Sequence, residues 1–195
     1  MEEVETKEKG NVKSIISWVS SILVCLIVAW LITTFVVRSV EVDGYSMSPT
    51  LSDGDRALTN GLKIGGIDRF DIVIVKKKNG NFKGQELVKR VIALPGETIE
   101  YRDSVLYIND EVVEEDFIED VVKKLTGTIT KRTLEDDEYF VMGDNRGNSS
   151  DSRYFGSVKK NEITGKGLLR FMVCIAKDSS NECSKRKLVW PSSVK

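Results

Sequence analysis

The sequence predicts a mainly β protein, with one apolar helix near its start followed by a single β domain. Three observations predict it. Ser14–Val37 contains no charged residue, the chain beyond it breaks into short β-rich runs punctuated by Gly, Asn and Asp, and no useful amphipathic helical period follows. A chain of 195 residues holds one compact domain beside such a segment and little more.

Residues 1–13 (MEEVETKEKGNVK) form a short polar head with too little apolar content to fold, read here as cytoplasmic. Residues 14–37 (SIISWVSSILVCLIVAWLITTFVV) follow. As a helix this run spans roughly 35 Å, enough to cross the ~30 Å hydrocarbon core of a bilayer with some tilt. A cleavable leader would have a shorter apolar region ending in small residues, whereas this one ends Thr-Thr-Phe-Val-Val-Arg. A retained transmembrane helix is the expectation, with Trp18 and Trp30 as candidate interface residues. Lys7, Lys9 and Lys13 precede it and only Arg38 and Arg56 lie at comparable reach after it, which leans the amino terminus inwards and residues 38–195 outwards.

Strands are expected at Asp71–Val75, Glu86–Leu94, Thr98–Arg102, Val105–Ile108 and Glu138–Met142, with two more at Gly167–Ala176 and Lys187–Trp190. Val105–Val113 reads as a hairpin turning at Asn109-Asp110. Glu114–Asp137 is heavily charged and reads as a loop or edge excursion outside the core.

Composition excludes several functions. Lys and Arg number 29 against 30 Asp and Glu, a net charge of −1, so no basic excess exists to hold nucleic acid. The absence of histidine excludes a Ser-His-Asp triad, a Cys-His dyad and an HExxH zinc site together. Cys25, Cys174 and Cys183 have no CxxC spacing and cannot supply four zinc ligands. Cys25 sits in the apolar run as a packing residue. Cys174 and Cys183 flank a polar stretch that can close a hairpin, and a disulfide or two free thiols are equally compatible with it.

Three stretches carry chemistry. In Val42-Asp-Gly-Tyr-Ser-Met-Ser-Pro-Thr-Leu51, Gly44 and Pro49 set a turn that presents Ser46 beside backbone N–H groups. Such a serine is a nucleophile if a base removes its proton; alone, the turn reads rather as a Ser-rich turn capping its own backbone. In Gln85–Gly96, a strand places Leu87, Lys89, Val91 and Ala93 on one face, and apolar neighbours depress an amine pKa. Alone, Lys89 is also consistent with a strand-edge lysine reaching water. The third stretch, Gly143–Arg153, is a polar loop without the ligand spacing of an EF-hand, in which Asp151 and Arg153 can pair around whatever Ser149 contacts.

Taken together these stretches resemble the type I signal peptidases, particularly their short Gram-positive form. Ser46-Met47-x-Pro49-Thr50-Leu51 matches the nucleophile box, Arg69-x-Asp71-Ile72-Val73 the following strand, and Lys89-Arg90-x-x-x-Leu94-Pro95-Gly96 the general-base box. Gly143-Asp144-Asn145-Arg146-x-x-Ser149-x-Asp151-Ser152-Arg153 matches the last box at every defining position. The resemblance spans Val42–Arg153 in order, plus the anchor; its one departure is Phe70, where the family usually has Gly.

The resemblance implies a large antiparallel β catalytic domain of the signal-peptidase type, with its active site near the membrane. Ser46 would be the nucleophile, Lys89 its general base, and Ser149 the residue that orients the Lys89 amine. Asp151 would hold the Arg146 and Arg153 side of the loop. The Ser46 N–H would be the main oxyanion donor, with Gly44 at the position where other members add a hydroxyl. No cofactor or metal is implied. The partners would be a lipid bilayer and secretory preproteins, cut after small residues at the first and third positions before the bond. The nearest rival reading is a serine–lysine peptidase of the repressor type that cleaves itself in the cytosol, against which the apolar anchor and the complete Gly143–Arg153 loop speak. The others are a specialised processing peptidase, for pilins or a narrow substrate set, and an inactive anchored paralogue acting as a scaffold; loss of Ser46 or Lys89 would have favoured the latter, and both are present.

Overall fold

The computed structural model describes residues 17–30, 37–61, 66–178, 180 and 182–194. The chain divides into two units, Met1–Arg38 and Ser39–Lys195.

In the first unit, residues 17–30 form helix α1. Every residue of α1 is exposed, including Trp18, Ile22, Leu23, Leu26 and Trp30. Of the expected transmembrane run, residues 14–16 and 31–36 lie outside the described residues, as do residues 1–13. Val37 already belongs to a strand. Among the described residues no helix is long and apolar enough to cross a membrane.

The second unit contains two sheets. The larger takes in β1 (Val37–Glu41), β2 (Arg56–Asn60), β3 (Ile72–Lys76), β4 (Glu86–Ala93) and β9 (Glu138–Met142), together with β10 (Val158–Lys159), β11 (Ile163–Lys177) and β12 (Cys183–Val194). Its order is β1-β2-β11-β3-β4-β9-β10, and β12 pairs with β11 off that path. The smaller sheet has β5 (Thr98–Arg102), β6 (Val105–Ile108), β7 (Glu111–Val113) and β8 (Ile129–Thr133) in the order β7-β6-β5-β8. The β3–β4, β4–β9, β11–β3 and β5–β6 pairings are antiparallel, as the hairpin-rich sequence requires. Helices in this unit are short: α2 (Asp120–Lys123) and α3 (Ser152–Phe155) are a single turn each.

The β6–β7 hairpin turns at Asn109-Asp110, both in the left-handed region with φ of 52° and 68°. Two positive φ values match the twist of the strands, and Asn and Asp tolerate them better than other non-glycine residues.

The core has three parts. Ile92, Ile99, Tyr101, Leu106, Phe140 and Met142 pack between the sheets. Val73, Val75, Val91, Val141 and Ile163 fill a second cluster, and Val42, Met47, Leu51, Ala57 and Ile72 a third. The third lies beneath the Ser46 turn: Met47 and Leu51 bury almost completely, so the apolar residues of that segment pin it to β2 and β3.

Two expectations need correction. Glu114–Asp137 is more than an excursion: it supplies β8 and the two single-turn helices α2 and a following 3-10 turn, and it buries Glu115, Ile118, Thr126, Ile129 and Leu134. Its charges hid a contribution to the core because the buried residues are spread too thinly to show a period. The alternation of β4 also breaks, since a bulge between Val91 and Ala93 moves Ala93 into the Ile92 cluster, away from Val91.

Candidate active site

The Ser46 turn is anchored at both ends by short-range bonds. Val42 N–H donates to Asp55 O at 2.9 Å, Gly54 N–H to Val42 O at 2.8 Å, and Leu51 N–H to Met47 O at 3.0 Å. Lys89 comes from the middle of β4, directly opposite Val73 of β3. It is 2 % exposed, and its amine donates to Ser46 Oγ at 2.7 Å. Burial is the largest influence on this amine and lowers its pKa to about 8, against the carboxylates of Asp151 and Asp144, which raise it. An ordinary lysine is almost wholly charged at neutral pH; this one has a useful neutral fraction.

The loop after β9 closes the other side. Asn145 donates its backbone N–H to Ser46 O at 3.0 Å and its side-chain amide to Tyr45 O at 3.1 Å. Gly143 stands where the two loops meet. A Cβ there would lie 2.3 Å from Ser149 Oγ and 2.4 Å from Ser46 O, so only glycine permits the approach. Its N–H donates to Asp151 Oδ2 at 3.0 Å. Asp151 also takes a two-point grip from Arg153, Nε and Nη2 each at 2.8 Å, and caps α3 by accepting from Arg153 N–H.

The structure thus brings Ser46 and Lys89 into contact and places Asp151 and Arg153 beside them. Three expected contacts differ. Arg146 does not pair with Asp151: its guanidinium binds the buried Glu115 carboxylate, Thr126 Oγ1 at 2.9 Å and Gly143 O at 3.3 Å. Asp151 is already saturated by Arg153 and the Gly143 N–H. Ser149 Oγ is buried with no hydrogen-bond partner among the described residues, and the Lys89 amine donates to Ser46 instead. Gly44 gives its N–H to Asp53 Oδ1 at 2.6 Å, which removes it as a donor to a developing oxyanion. The Ser46 N–H has no such partner among the described residues.

Residues named in the sequence motifs without a role, and Glu115, which no motif contains, support these loops. Arg90, next to Lys89 but on the other face of β4, grips Asp144 through two bonds of 2.8 and 2.6 Å, and Asp144 accepts from Thr50 Oγ1 at 2.5 Å. Arg90 also donates to Phe70 O at 2.9 Å. Phe70 adopts φ 68°, the conformation that a glycine there would take without strain. Glu115 lay inside the charged excursion; the only signal for it was that a buried arginine in the Gly143–Arg153 loop needs a carboxylate.

The arrangement is a serine hydroxyl that accepts a hydrogen bond from a buried amine of lowered basicity, in a chain without histidine. Comparison with known proteins identifies the family. Residues 15–172 match the family described as Signal peptidase, peptidase S26. The chain is 34 % identical over 176 residues to a signal peptidase IB of Staphylococcus aureus (strain COL), covering 82 % of this chain and 90 % of that protein. It is 38 % identical over 169 residues to a signal peptidase I P of Bacillus subtilis subsp. natto, with the same coverage. A crystal structure of a signal peptidase I from Enterococcus faecalis V583 aligns with 38 % identity and a TM-score of 0.47 over 52 % of this chain and 97 % of that one. The chain belongs to the signal peptidase family, peptidase S26, and is a serine endopeptidase that removes signal peptides.

Proposed function

We propose that Ser46 is the nucleophile and Lys89 the general base of this peptidase. The observation that carries the reading is the 2.7 Å contact between Lys89 Nζ and Ser46 Oγ, made by an amine that burial brings to a pKa of about 8. The neutral amine takes the hydroxyl proton as Ser46 Oγ bonds to the scissile carbonyl carbon. The Ser46 N–H receives the charge that develops on the carbonyl oxygen. Collapse breaks the C–N bond, and the lysine ammonium returns its proton to the leaving amine. Water then attacks the acyl ester, with the same amine as base, and frees the serine.

Asp151 and Arg153 act as support. Asp151 fixes the Gly143 N–H and, with Asp144, offsets part of the burial cost of a charged Lys89. Ser149, whose buried hydroxyl lies against the Gly143 backbone, is a positioning residue for the Lys89 amine, as its place in the last box supports. Arg146 acts at longer range by tying Gly143 O to Glu115.

The substrate is a secretory preprotein cut after small residues at the first and third positions before the bond, as family membership supports. Residues 14–37 anchor the chain in the membrane as one span, with 1–13 inside and 38–195 outside. The uncharged run and the exposure of the apolar side chains all round α1 support this, because a helix apolar on all sides needs an apolar surrounding. Confinement of both partners to one bilayer raises their effective concentration.

The test is cleavage of a purified preprotein by the full chain in detergent, beside its Lys89→Ala variant, from pH 6 to 10. Cleavage by the parent alone, rising with pH through about 8, supports the dyad; equal cleavage by the variant removes it.

A further inference from the structure

The segment from Val42 to Asp55 is held on the side opposite Asn145 by the tip of the β11–β12 hairpin. Lys177, the last residue of β11, pairs with the Asp53 carboxylate and donates to the Tyr45 hydroxyl at 2.9 Å. Its amine also lies 4.9 Å from the centre of the Tyr45 ring. Asp53 in turn accepts the Gly44 N–H at 2.6 Å. Both residues immediately before Ser46 are therefore tied to one amine.

A disulfide decides where that amine sits. Cys174 and Cys183 are joined, and Cys183 stands opposite Lys177 across the two strands. The bridge rests on the backbone of the Ser46 segment: a Cβ on Gly54 would meet Cys183 Cβ at 2.8 Å and Cys174 Cβ at 3.0 Å. Cys174 N–H adds a bond to Asp55 Oδ1 at 3.0 Å. The tip thus rests on the Gly54–Asp55 end of the loop that carries the hydroxyl, and its cation reaches Asp53 and, next to Ser46, Tyr45.

We infer that Lys177, presented by the disulfide-closed tip, is a positioning residue that sets the placement of Ser46 through Asp53, Gly44 and Tyr45. The inference rests on Ser46 being the nucleophile. Lys177 touches no reacting atom; it acts on the backbone whose N–H and hydroxyl do the chemistry. The Asp53 side chain is only 14 % exposed and uses its second oxygen on a backbone N–H, so the pair is more than a solvated surface contact. A reducing environment that opens the bridge would loosen the same turn.

The experiment compares the full-length parent, Lys177→Met, Lys177→Arg and the double variant Cys174→Ser/Cys183→Ser in detergent, with Ser46→Ala as reference. Two quantities are read: kcat and KM on a preprotein, and amide hydrogen exchange over residues 42–50. Lys177→Met is expected to lower kcat about tenfold, the loss of one charge-assisted bond, with KM and the pH midpoint unchanged. Exchange over 42–50 rises while that of β4 and β9 stays as in the parent, and Lys177→Arg recovers most of both. The cysteine double variant loses a similar factor, and adding Lys177→Met to it costs little more, because both act through one device. Unchanged exchange over 42–50 in Lys177→Met overturns the inference, as does faster exchange with unchanged kcat. If Ser46→Ala still cleaves, the nucleophile has been misassigned; the exchange result then decides by itself whether Lys177 holds the turn.

Discussion

Arg90 and Asp144 form a two-point ion pair that is sealed from water, with the two side chains 0 % and 1 % exposed. It joins β4 to the loop after β9 one residue beyond Lys89. Removing one member leaves the other charged and buried, which costs about 3–5 kcal/mol. Arg90→Ala is therefore expected to lower the unfolding free energy by about that amount, read in urea or thermal melts of the domain in detergent. A loss below about 1 kcal/mol would show that water or another group compensates Asp144.

Ser46→Ala should reduce cleavage by about 10⁴-fold or more while the melting temperature stays within a few degrees, since only a hydroxyl is lost. Lys89→Arg should be nearly as inactive, because a guanidinium does not deprotonate in this range. Both are read by product formation beside circular dichroism.

The pH profile follows from Lys89. With its pKa at about 8, activity rises as the amine loses its proton and levels off above that value. Asp151→Asn removes a carboxylate that raises this pKa, so the rising limb should move to lower pH. A limb that moved upwards would contradict the electrostatic role assigned to Asp151.

The same amine makes a stability prediction of definite sign. Its folded pKa lies below its unfolded value, so the penalty for burying the charge is complete below pH 8 and disappears as pH rises towards 10.5. The difference corresponds to about 3 kcal/mol. Lys89→Met, which keeps the stem without the charge, should be more stable than the parent at pH 7, and the gap should close by pH 10.5.

Phe70 pairs with Phe117, ring centres 4.9 Å apart, while its backbone holds φ 68°. Phe70→Gly loses the contact but relieves the strain, whereas Phe70→Ala loses the contact and keeps it. Phe70→Ala should therefore be the less stable of the two, by about 1 kcal/mol in chemical denaturation.

Much of this was legible from residues alone. β5, β6 and β9 fall at the expected residues, because each alternates buried and exposed positions or is uniformly apolar between clear turn signals. β2 (RALTN) was missed, being short and mixed, and β8 (ITKRT) because only Ile129 is buried. The candidate site residues stood out as local patterns, and Asp151 and Arg153 as a pair, but the partners distant in sequence did not. Glu115 reaches Arg146 from 31 positions away and Lys177 reaches Asp53 from 124, and no local period encodes such pairs. The disulfide, open in sequence, is formed with Cα174 and Cα183 5.8 Å apart, although the register sets Cys174 opposite Arg186 and Cys183 opposite Lys177; the irregular pairing between Cys174 and Lys177 is not visible in the residues.

Lys89 and Arg90 are neighbours that leave β4 on opposite sides, one towards Ser46 and the other towards Asp144. Both are basic residue types and both side chains are buried, yet a guanidinium cannot serve as a base where an amine can. A slip of β4 by a single residue against β3 would exchange them and put a permanently charged group at the hydroxyl. The molecule would keep its net charge and most of its hydrogen bonding, and would be inert. With Lys89 as the proposed base, peptide cleavage would double as a check on correct assembly, since a chain that had misaligned this one strand could not begin cutting.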